Sequence, residues 1–171
     1  MKNVIKIRIG FAVIALLGAA LFHSCSPEDP VENTDQVSID KNKMLELINS
    51  YRTSGCSCGS EGYLAPTTPV VWNNNIEKAA LDHSVDMSKN DIFSHTGSDG
   101  SDAGDRLDRR YYDWITYGEN IAKGYKTEEK VVEGWINSPG HCRNIMNPGF
   151  KEMGVARVGD YWTQIFGTRA P

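Results

Sequence analysis

The chain has 171 residues, of which 40% are hydrophobic and 23% are charged. This is the composition of one globular domain, and it excludes wholesale disorder and a multispan membrane protein. The formal charge is -4 at pH 7. A nucleic-acid partner requires a basic surface, so the acidic balance argues against one. We expect a monomeric domain.

The first part of the chain has the pattern of a targeting segment. Three basic residues lie within residues 2–8, and an apolar stretch follows over residues 9–22. This stretch is shorter than the about 20 residues of a membrane-spanning helix, which favours a signal peptide over residues 1–24. Ser24 before Cys25 resembles a bacterial lipobox, with Cys25 as the acylated residue. The alternative is an uncleaved signal anchor.

Residues 25–39 are expected to form a flexible tether. The segment is polar and acidic, and it contains two prolines and few apolar residues. Its acidic residues directly after Cys25 resemble a surface-export signal of bacterial lipoproteins. We therefore expect a lipid anchor to hold the domain at residues 40–171 at the cell envelope, on the outer membrane. If the export signal acts, the domain is exposed at the cell surface.

Two helices are predicted in the first half of the domain. Asp40 is a suitable N-cap for an amphipathic helix that ends near Thr53. The segment Cys56–Pro69 is rich in glycine, serine, proline and threonine and is expected to form a loop. A second helix is predicted from near Asn74, and its apolar stripe includes His83, which is expected to be a hydrogen-bonded core residue.

The second half is predicted to contain a long loop, two helices and a hairpin. Residues 93–110 are dense in glycine, aspartate and serine and are expected to be a loop, which Arg106 anchors through a carboxylate. Thr127 caps a helix that ends before Pro139, and Ser138 then caps a short helix. Two strands flank a Gly-Asp turn at residues 159–160.

Four stretches of the chain combine histidine, glutamate and aromatic residues in a distinctive order. They are Trp72-Asn73 leading into His83-Ser84-Val85-Asp86-Met87; Phe93-Ser94-His95-Thr96-Gly97; Tyr117-Gly118-Glu119-Asn120-Ile121-Ala122; and Gly134-Trp135-Ile136-Asn137-Ser138-Pro139-Gly140-His141-Cys142-Arg143-Asn144-Ile145-Met146. In this order they resemble the bacterial branch of the CAP (SCP/TAPS) superfamily of cysteine-rich secretory proteins, antigen 5 and pathogenesis-related 1 proteins. The resemblance covers roughly residues 41–168.

The resemblance implies both a fold and a site. The implied fold is an α/β (α+β) three-layer α-β-α sandwich with a central, mostly antiparallel sheet. The implied site is a cleft where His95, Glu119 and His141 converge. A second glutamate of the family pattern is replaced here by Ser138. Glu133 is the nearest substitute, but its position on the predicted helix points it away from the cleft.

The site residues allow two classes of function. His95, Glu119 and His141 suit zinc or another divalent metal, which we expect to be weakly bound because one carboxylate is missing. Ser138 near His141 and Glu119 could imitate a catalytic triad, but no nucleophile motif supports this. We therefore assign no catalytic residue and favour a binding module for a lipid, glycan or partner protein. The alternative is a metal-assisted hydrolase or peptidase.

Three cysteines remain if Cys25 is acylated. Three thiols allow one disulfide and leave one cysteine over. Cys58, followed by Gly59, resembles the loop cysteine of the family, which implies a Cys58–Cys142 disulfide. Cys56 is the alternative partner of Cys142.

The lipid anchor gives a direct test. Because two or more acyl chains give stable anchoring, the Cys25→Ala chain is expected to leave the membrane fraction and to lack the mass of the acyl chains. Fractionation and intact-mass spectrometry measure both effects. A Cys25→Ala protein that stays on the membrane with an otherwise unchanged mass would contradict acylation.

Overall fold

The computed structural model describes residues 37–171. The predicted signal peptide, Cys25 and the tether up to residue 36 lie outside the described residues. The described helices are α1 Lys41–Ser54, α2 Asn74–Asn90, α3 Ala103–Arg109, α4 Glu128–Ile136 and α5 Pro139–Met146. The strands are β1 Cys56–Ser57, β2 Tyr63–Leu64, β3 Val71–Trp72, β4 Trp114–Lys123, β5 Glu152–Val158 and β6 Tyr161–Arg169.

Side-chain caps start α1, α2 and α4. The Asp40 carboxylate accepts a hydrogen bond from the Lys43 amide at the start of α1. The Asn73 side chain accepts from two amides at the start of α2, and Thr127 accepts from the Lys130 amide in α4. Each cap satisfies an amide that has no partner inside its helix. The predicted starts of these helices are confirmed.

A four-stranded sheet with the order β3-β5-β6-β4 forms the centre of the domain. Strands β5 and β6 are the predicted hairpin, in which Val158 pairs with Tyr161 across the turn. β4 also pairs antiparallel with β6, whereas the short β3 runs parallel to β5. The prediction of a mostly antiparallel sheet is confirmed.

Helices cover both faces of this sheet. Helices α2 and α3 pack on one face around a core that includes Ile76 and Ile165. Helices α1, α4 and α5 pack on the other around Trp135, Trp162 and Phe166. Side chains alternate between the two faces along a strand, so Ile165 and Phe166 enter different cores. The result is the expected three-layer α-β-α sandwich.

Helix α2 approaches the sheet so closely that one position requires glycine. A Cβ atom at Gly154 of β5 would overlap the backbone of Glu77 in α2. The histidine on the inner face of α2, His83, is consequently fully buried. Its predicted place in the core is confirmed.

Two predicted loops contain regular structure. The segment Cys56–Pro69 includes the hairpin of β1 and β2 with a 3-10 turn at Gly59–Glu61 between them. The predicted loop at residues 93–110 includes α3, which begins with a capping box between Asp102 and Asp105. Composition suggested a loop there because aspartate and glycine disfavour helix interiors, but aspartate also supplies this N-terminal cap.

Arg52 of α1 joins three segments on one side of the sandwich. Its side chain is fully buried and donates hydrogen bonds to four backbone carbonyls. The acceptors are Thr68 O at 2.9 Å, Ile145 O at 2.5 Å, Asn147 O at 3.0 Å and Phe150 O at 3.1 Å. Burial lowers the pKa of the guanidinium to about 10. Arginine suits this position because its planar fork presents five donors in fixed directions.

A disulfide joins the β1–β2 hairpin to α5. Cys58 and Cys142 form it, with their Cα atoms 5.5 Å apart, and Cys56 is free. This is the pairing that the family resemblance implied. None of the helices within residues 37–171 has the length and apolar character needed to cross a membrane.

The Arg52→Lys variant tests how much the buried fork stabilises the fold. Lysine keeps the charge but cannot reach four carbonyls, so about 2 to 4 kcal/mol of unfolding free energy should be lost. Urea denaturation followed by circular dichroism measures this. The control is Arg109→Lys, at an exposed residue paired with Asp99, which should change stability by less than about 0.5 kcal/mol. Equal stabilities of the two variants would show that the fork is dispensable.

Candidate functional site

Glu119 lies in the second half of β4, where it faces the segment between α2 and α3. It lies within the longest strand of the sheet, opposite Ile165 of β6. Its side chain is only 6% exposed. A carboxylate buried to this extent needs hydrogen-bond donors or cations around it.

Two side chains supply those donors. His95 Nδ1 donates to Glu119 Oε1 at 2.7 Å, and Arg106 Nη2 donates to Glu119 Oε2 at 2.7 Å. Arg106 is 3% exposed and also donates to the backbone oxygens of His95 and Ser101. The expected carboxylate partner of Arg106 is therefore Glu119. Arg106 both balances the charge of Glu119 and holds the segment that carries His95.

His83 is a further neighbour of the site, and the sequence did not reveal it. Its Nε2 donates to the backbone oxygen of Ser94 at 2.8 Å and lies 3.9 Å from Glu119 Oε1. Its Nδ1 is buried and has no protein hydrogen-bond partner within the described residues. Burial lowers the pKa of His83, which favours the neutral ring. The spacing on α2 correctly placed His83 in the core but could not show that this part of the core borders Glu119.

His95 and His141 have pKa values that are shifted in opposite directions. The hydrogen bond to Glu119 raises the pKa of His95, whose side chain is 59% exposed. Burial, together with the charge of His95, lowers the pKa of His141 in the first turn of α5. The two rings are therefore close enough to influence each other electrostatically. As the pH falls, His95 therefore takes up its proton above the ordinary histidine pKa of about 6.5, and His141 takes up its proton below it.

An amide network fixes α5 against β4. Asn144 of α5 donates to the Glu119 backbone oxygen at 3.0 Å and to the Asn120 side chain at 2.9 Å. Asn120 donates to Gln164 at 2.9 Å and to the His141 backbone oxygen at 3.3 Å. Asn120 lies on a strand, and its partners lie on β6 and α5. The network sets the position of His141 relative to Glu119.

A cleft of about 300 Å³ opens beside His141. Its lining combines three aromatic rings with polar groups: Phe93, Ile121, Ala122, Lys123, Tyr125, Gly134, Trp135, Ser138 and His141. We call this space the His141 cleft. Glu119 and His95 are not among its lining residues, although Ile121, two residues after Glu119 in β4, is.

Ser138 and Glu133 are the two residues considered for the position of the missing second glutamate. Ser138 occupies the N-cap position of α5 and lines the His141 cleft, but its side chain makes no capping hydrogen bond. The prediction that the Ser138 side chain caps α5 is therefore wrong, although Pro139 does occupy the first turn as expected. Glu133 is exposed and pairs with Lys130, outside the cleft as expected.

The atoms of His95, Glu119 and His141 that could ligate a metal form only part of a metal-binding site. Among residues 37–171, the histidine and carboxylate atoms do not form a group of three within 4.8 Å, and the group that meets this distance is Cys56, Cys58 and Cys142. Both oxygens of Glu119 are engaged by His95 and Arg106. Among the predicted metal ligands, His95 Nε2 and the ring of His141 are the nitrogen atoms that remain to hold a divalent ion.

The opposite pKa shifts can be tested directly. Replacing Glu119 with glutamine removes the carboxylate that stabilises the protonated ring, so the pKa of His95 should fall below its value in the native protein. The charged form of His95 stabilises the folded state most fully below pH 6.5, and this contribution is lost as the pH rises through the raised folded-state pKa. Imidazole NMR titrations of His95 and His141 measure both values.

The Glu133→Gln variant is the control for this titration, since Glu133 contacts neither ring. It should leave both pKa values within about 0.2 units of the native ones, because exposed distant charges are screened. A native His95 pKa at or below that of His141 would contradict the structure, whether or not the Glu119→Gln protein folds.

Comparison with known proteins identifies a family that this chain resembles. A model of the family described as "CAP: Cysteine-rich secretory protein family" matches residues 45–166. The uncharacterized protein YkwD of Bacillus subtilis is 36% identical over 132 residues, which are 76% of this chain and 48% of that protein. The uncharacterized membrane protein YlbC of the same species is 37% identical over 95 residues, 56% of this chain and 28% of that protein. The chain thus spans about half or less of the lengths of these relatives.

Solved structures show the same architecture. An extracellular protein containing an SCP domain from Bacillus anthracis superposes with a TM-score of 0.65 at 29% identity, over 75% of this chain and 40% of that chain. An outer surface protein from Borrelia burgdorferi has a TM-score of 0.62 at 19% identity, over 80% and 99% of the two chains, and supports the fold alone. The family match covers more than half of the chain and includes His95, Glu119 and His141. The chain therefore belongs to the cysteine-rich secretory protein (CAP) family.

Proposed function

We propose that this protein is an extracellular binding module of the cell envelope, anchored through Cys25, and that the His141 cleft holds its ligand. The observation that supports this proposal is the set of contacts made by the Glu119 carboxylate. Its charge is balanced by Arg106 at 2.7 Å and it orients His95 at 2.7 Å. A carboxylate used in this way is a structural and orienting group, and it is poorly placed to act as a general base.

A hydrolase would need a nucleophile and an activated water or hydroxyl group. Ser138 is the serine at the cleft, and no hydrogen bond within residues 37–171 joins its hydroxyl to the His141 ring. His141 has a pKa lowered by burial and by the charge of His95, so it is a neutral ring at neutral pH. A neutral imidazole can accept a hydrogen bond from a bound ligand without catalysing a reaction. These features favour binding over hydrolysis.

The lining of the His141 cleft indicates the class of ligand. Phe93 is 53% exposed at the cleft, which is unusual for a phenylalanine and provides an apolar contact surface. Tyr125 and Trp135 add aromatic surface, and His141 and Lys123 add polar groups. Ligand sites typically combine apolar walls with a few polar groups of this kind. We infer an amphipathic ligand, with a lipid or lipid-linked glycan as the best match and a partner protein as the alternative.

A divalent metal is a second candidate for the same site. Metal-bound histidines usually donate their other ring nitrogen to a carboxylate, as His95 Nδ1 does to Glu119. His95 Nε2 and His141 would then hold the ion, and Glu119 would orient His95. Two imidazoles bind more weakly than a complete structural zinc site. Binding would also require His95 to lose a proton, so affinity falls as the pH drops below the pKa of His95.

Analysis of the native protein tests the ligand proposal. The membrane-anchored protein, extracted in mild detergent, is expected to copurify with an amphipathic molecule that native mass spectrometry detects. The amount of this molecule bound per protein should fall at least about ten-fold in the Ser138→Trp variant, because the indole would fill part of the cleft. Metal analysis of the same sample measures zinc, which should be substoichiometric.

Asn137→Trp is the matched control for Ser138→Trp. Asn137 is the exposed neighbour that does not line the cleft, so this variant should keep the ligand. Equal retention by both variants would place the ligand outside the His141 cleft. Stoichiometric zinc that disappears in His95→Ala and His141→Ala would instead favour the metal-assisted alternative.

A further inference from the structure

Three sulfur atoms meet at the junction of the β1–β2 hairpin and α5. Cys56 Sγ lies 3.5 Å from Cys142 Sγ and 3.7 Å from Cys58 Sγ, and the latter two form the disulfide. These distances are van der Waals contacts between the free sulfur and both sulfurs of the bond. Because Cys56 Sγ is nearly equidistant from the two bonded sulfurs, it lies beside the bond and not in line with it. Thiol–disulfide exchange begins with in-line attack of a thiolate on one sulfur, so the Cys56 side chain, already in contact with the bond, has to rotate before it attacks.

The three cysteines differ in exposure. Cys58 and Cys142 are fully buried, whereas Cys56 is partly exposed. The Cys56 sulfur is buried together with the other two, so in this form the free thiol belongs to the residue that is partly exposed. If the bond moved to Cys56, the free thiol would be Cys58, which is buried.

We propose that Cys56, Cys58 and Cys142 form an internal thiol–disulfide exchange site. The Cys56 thiolate attacks Cys142 Sγ, a new Cys56–Cys142 bond forms, and the Cys58–Cys142 bond breaks. The electron pair of the broken bond leaves on Cys58, which takes up a proton to replace the one that Cys56 released to solvent. The exchange is redox-neutral and needs no added oxidant or reductant.

Cys142 is the favoured target of the attack. Bridging Cys56 to Cys58 would join residues two apart at the end of an extended strand, where Cα atoms lie about 6.6 Å apart, near the upper limit for a disulfide. Attack on Cys142 instead joins the hairpin to α5, two segments that one disulfide already holds at a Cα distance of 5.5 Å. The second bond can form with the smaller backbone movement.

The exchange would move the cross-link relative to the functional site. The attachment point shifts by two residues along the hairpin, about 6.6 Å of extended chain. The other end of the cross-link, Cys142, directly follows His141 in the first part of α5. The two isomers therefore hold the start of α5 to different points of the hairpin. This inference does not depend on the nature of the ligand.

The rate of exchange is limited by the thiolate population. Burial raises the pKa of the Cys56 thiol, so the thiol form predominates at neutral pH. The exchange should consequently be slow at pH 7, and the test uses prolonged incubation at pH 8.5.

Trapping of free thiols tests the proposal in the full-length chain with Cys25→Ala, in which these three cysteines are the only ones. The protein is incubated at pH 8.5, quenched in acid and alkylated with N-ethylmaleimide in denaturant at pH 5, and fragment-ion mass spectrometry then distinguishes Cys56 from Cys58. The label is expected on both cysteines after incubation, with at least about 5% on Cys58. Label confined to Cys56 after days at pH 8.5 would overturn the proposal.

Two matched variants in the same chain separate exchange from scrambling. Cys58→Ser should form the Cys56–Cys142 disulfide and bind no N-ethylmaleimide, which shows that the second isomer is sterically possible. Cys56→Ser should keep Cys58–Cys142 and remain unlabelled at pH 8.5, since it lacks the attacking thiol. Two free thiols in a folded Cys58→Ser protein, or label on Cys56→Ser after incubation, would each contradict the mechanism.

Discussion

A buried carboxylate in the middle of β4 determines how the functional site is built. Glu119 has 6% of its side chain exposed, and a charge at this depth is stable only with close partners. Arg106 supplies the positive charge from α3, and His95 supplies a donor from the segment before α3. The hydrogen bonds and charge that satisfy this one carboxylate therefore fix the place of α3, of the preceding segment and of the His95 ring. Loss of Glu119 would leave Arg106 as an uncompensated buried cation.

The second histidine is held by independent means. The Asn120 and Asn144 amides tie α5 to β4, Arg52 ties the end of α5 to α1, and the disulfide at Cys142 ties α5 to the hairpin. Two of these ties are hydrogen bonds from side chains on different elements and the third is covalent, so α5 is held from three sides. A short helix of eight residues has little intrinsic stability and depends on such contacts. This explains why a polar network lies beneath a surface cleft.

Local signals in the sequence predicted the fold well, but they did not predict the neighbours of the site. The capped helices at Asp40 and Thr127 and the hairpin at residues 159–160 follow from interactions within a few residues. Helix α3 was missed because aspartate and glycine suggest a loop unless their capping geometry is known. The strand position of Glu119 and its contact with His83 depend on pairing between distant segments, which residue spacing does not encode. The family resemblance supplied His95, Glu119 and His141, but it did not supply Arg106 as the counterion of Glu119.

The two histidines give the cleft an electrostatic asymmetry that bears on its ligand. Glu119 raises the pKa of His95, while burial and the charge of His95 lower the pKa of His141. Near pH 6.5, the first ring is the more protonated and can donate a hydrogen bond from Nε2, whereas the second is neutral and can accept one. A metal needs both rings unprotonated and so competes with a proton that Glu119 stabilises on His95. A polar or anionic head group needs no such proton loss, and the exposed Phe93 provides the apolar surface that the rest of an amphipathic molecule would contact.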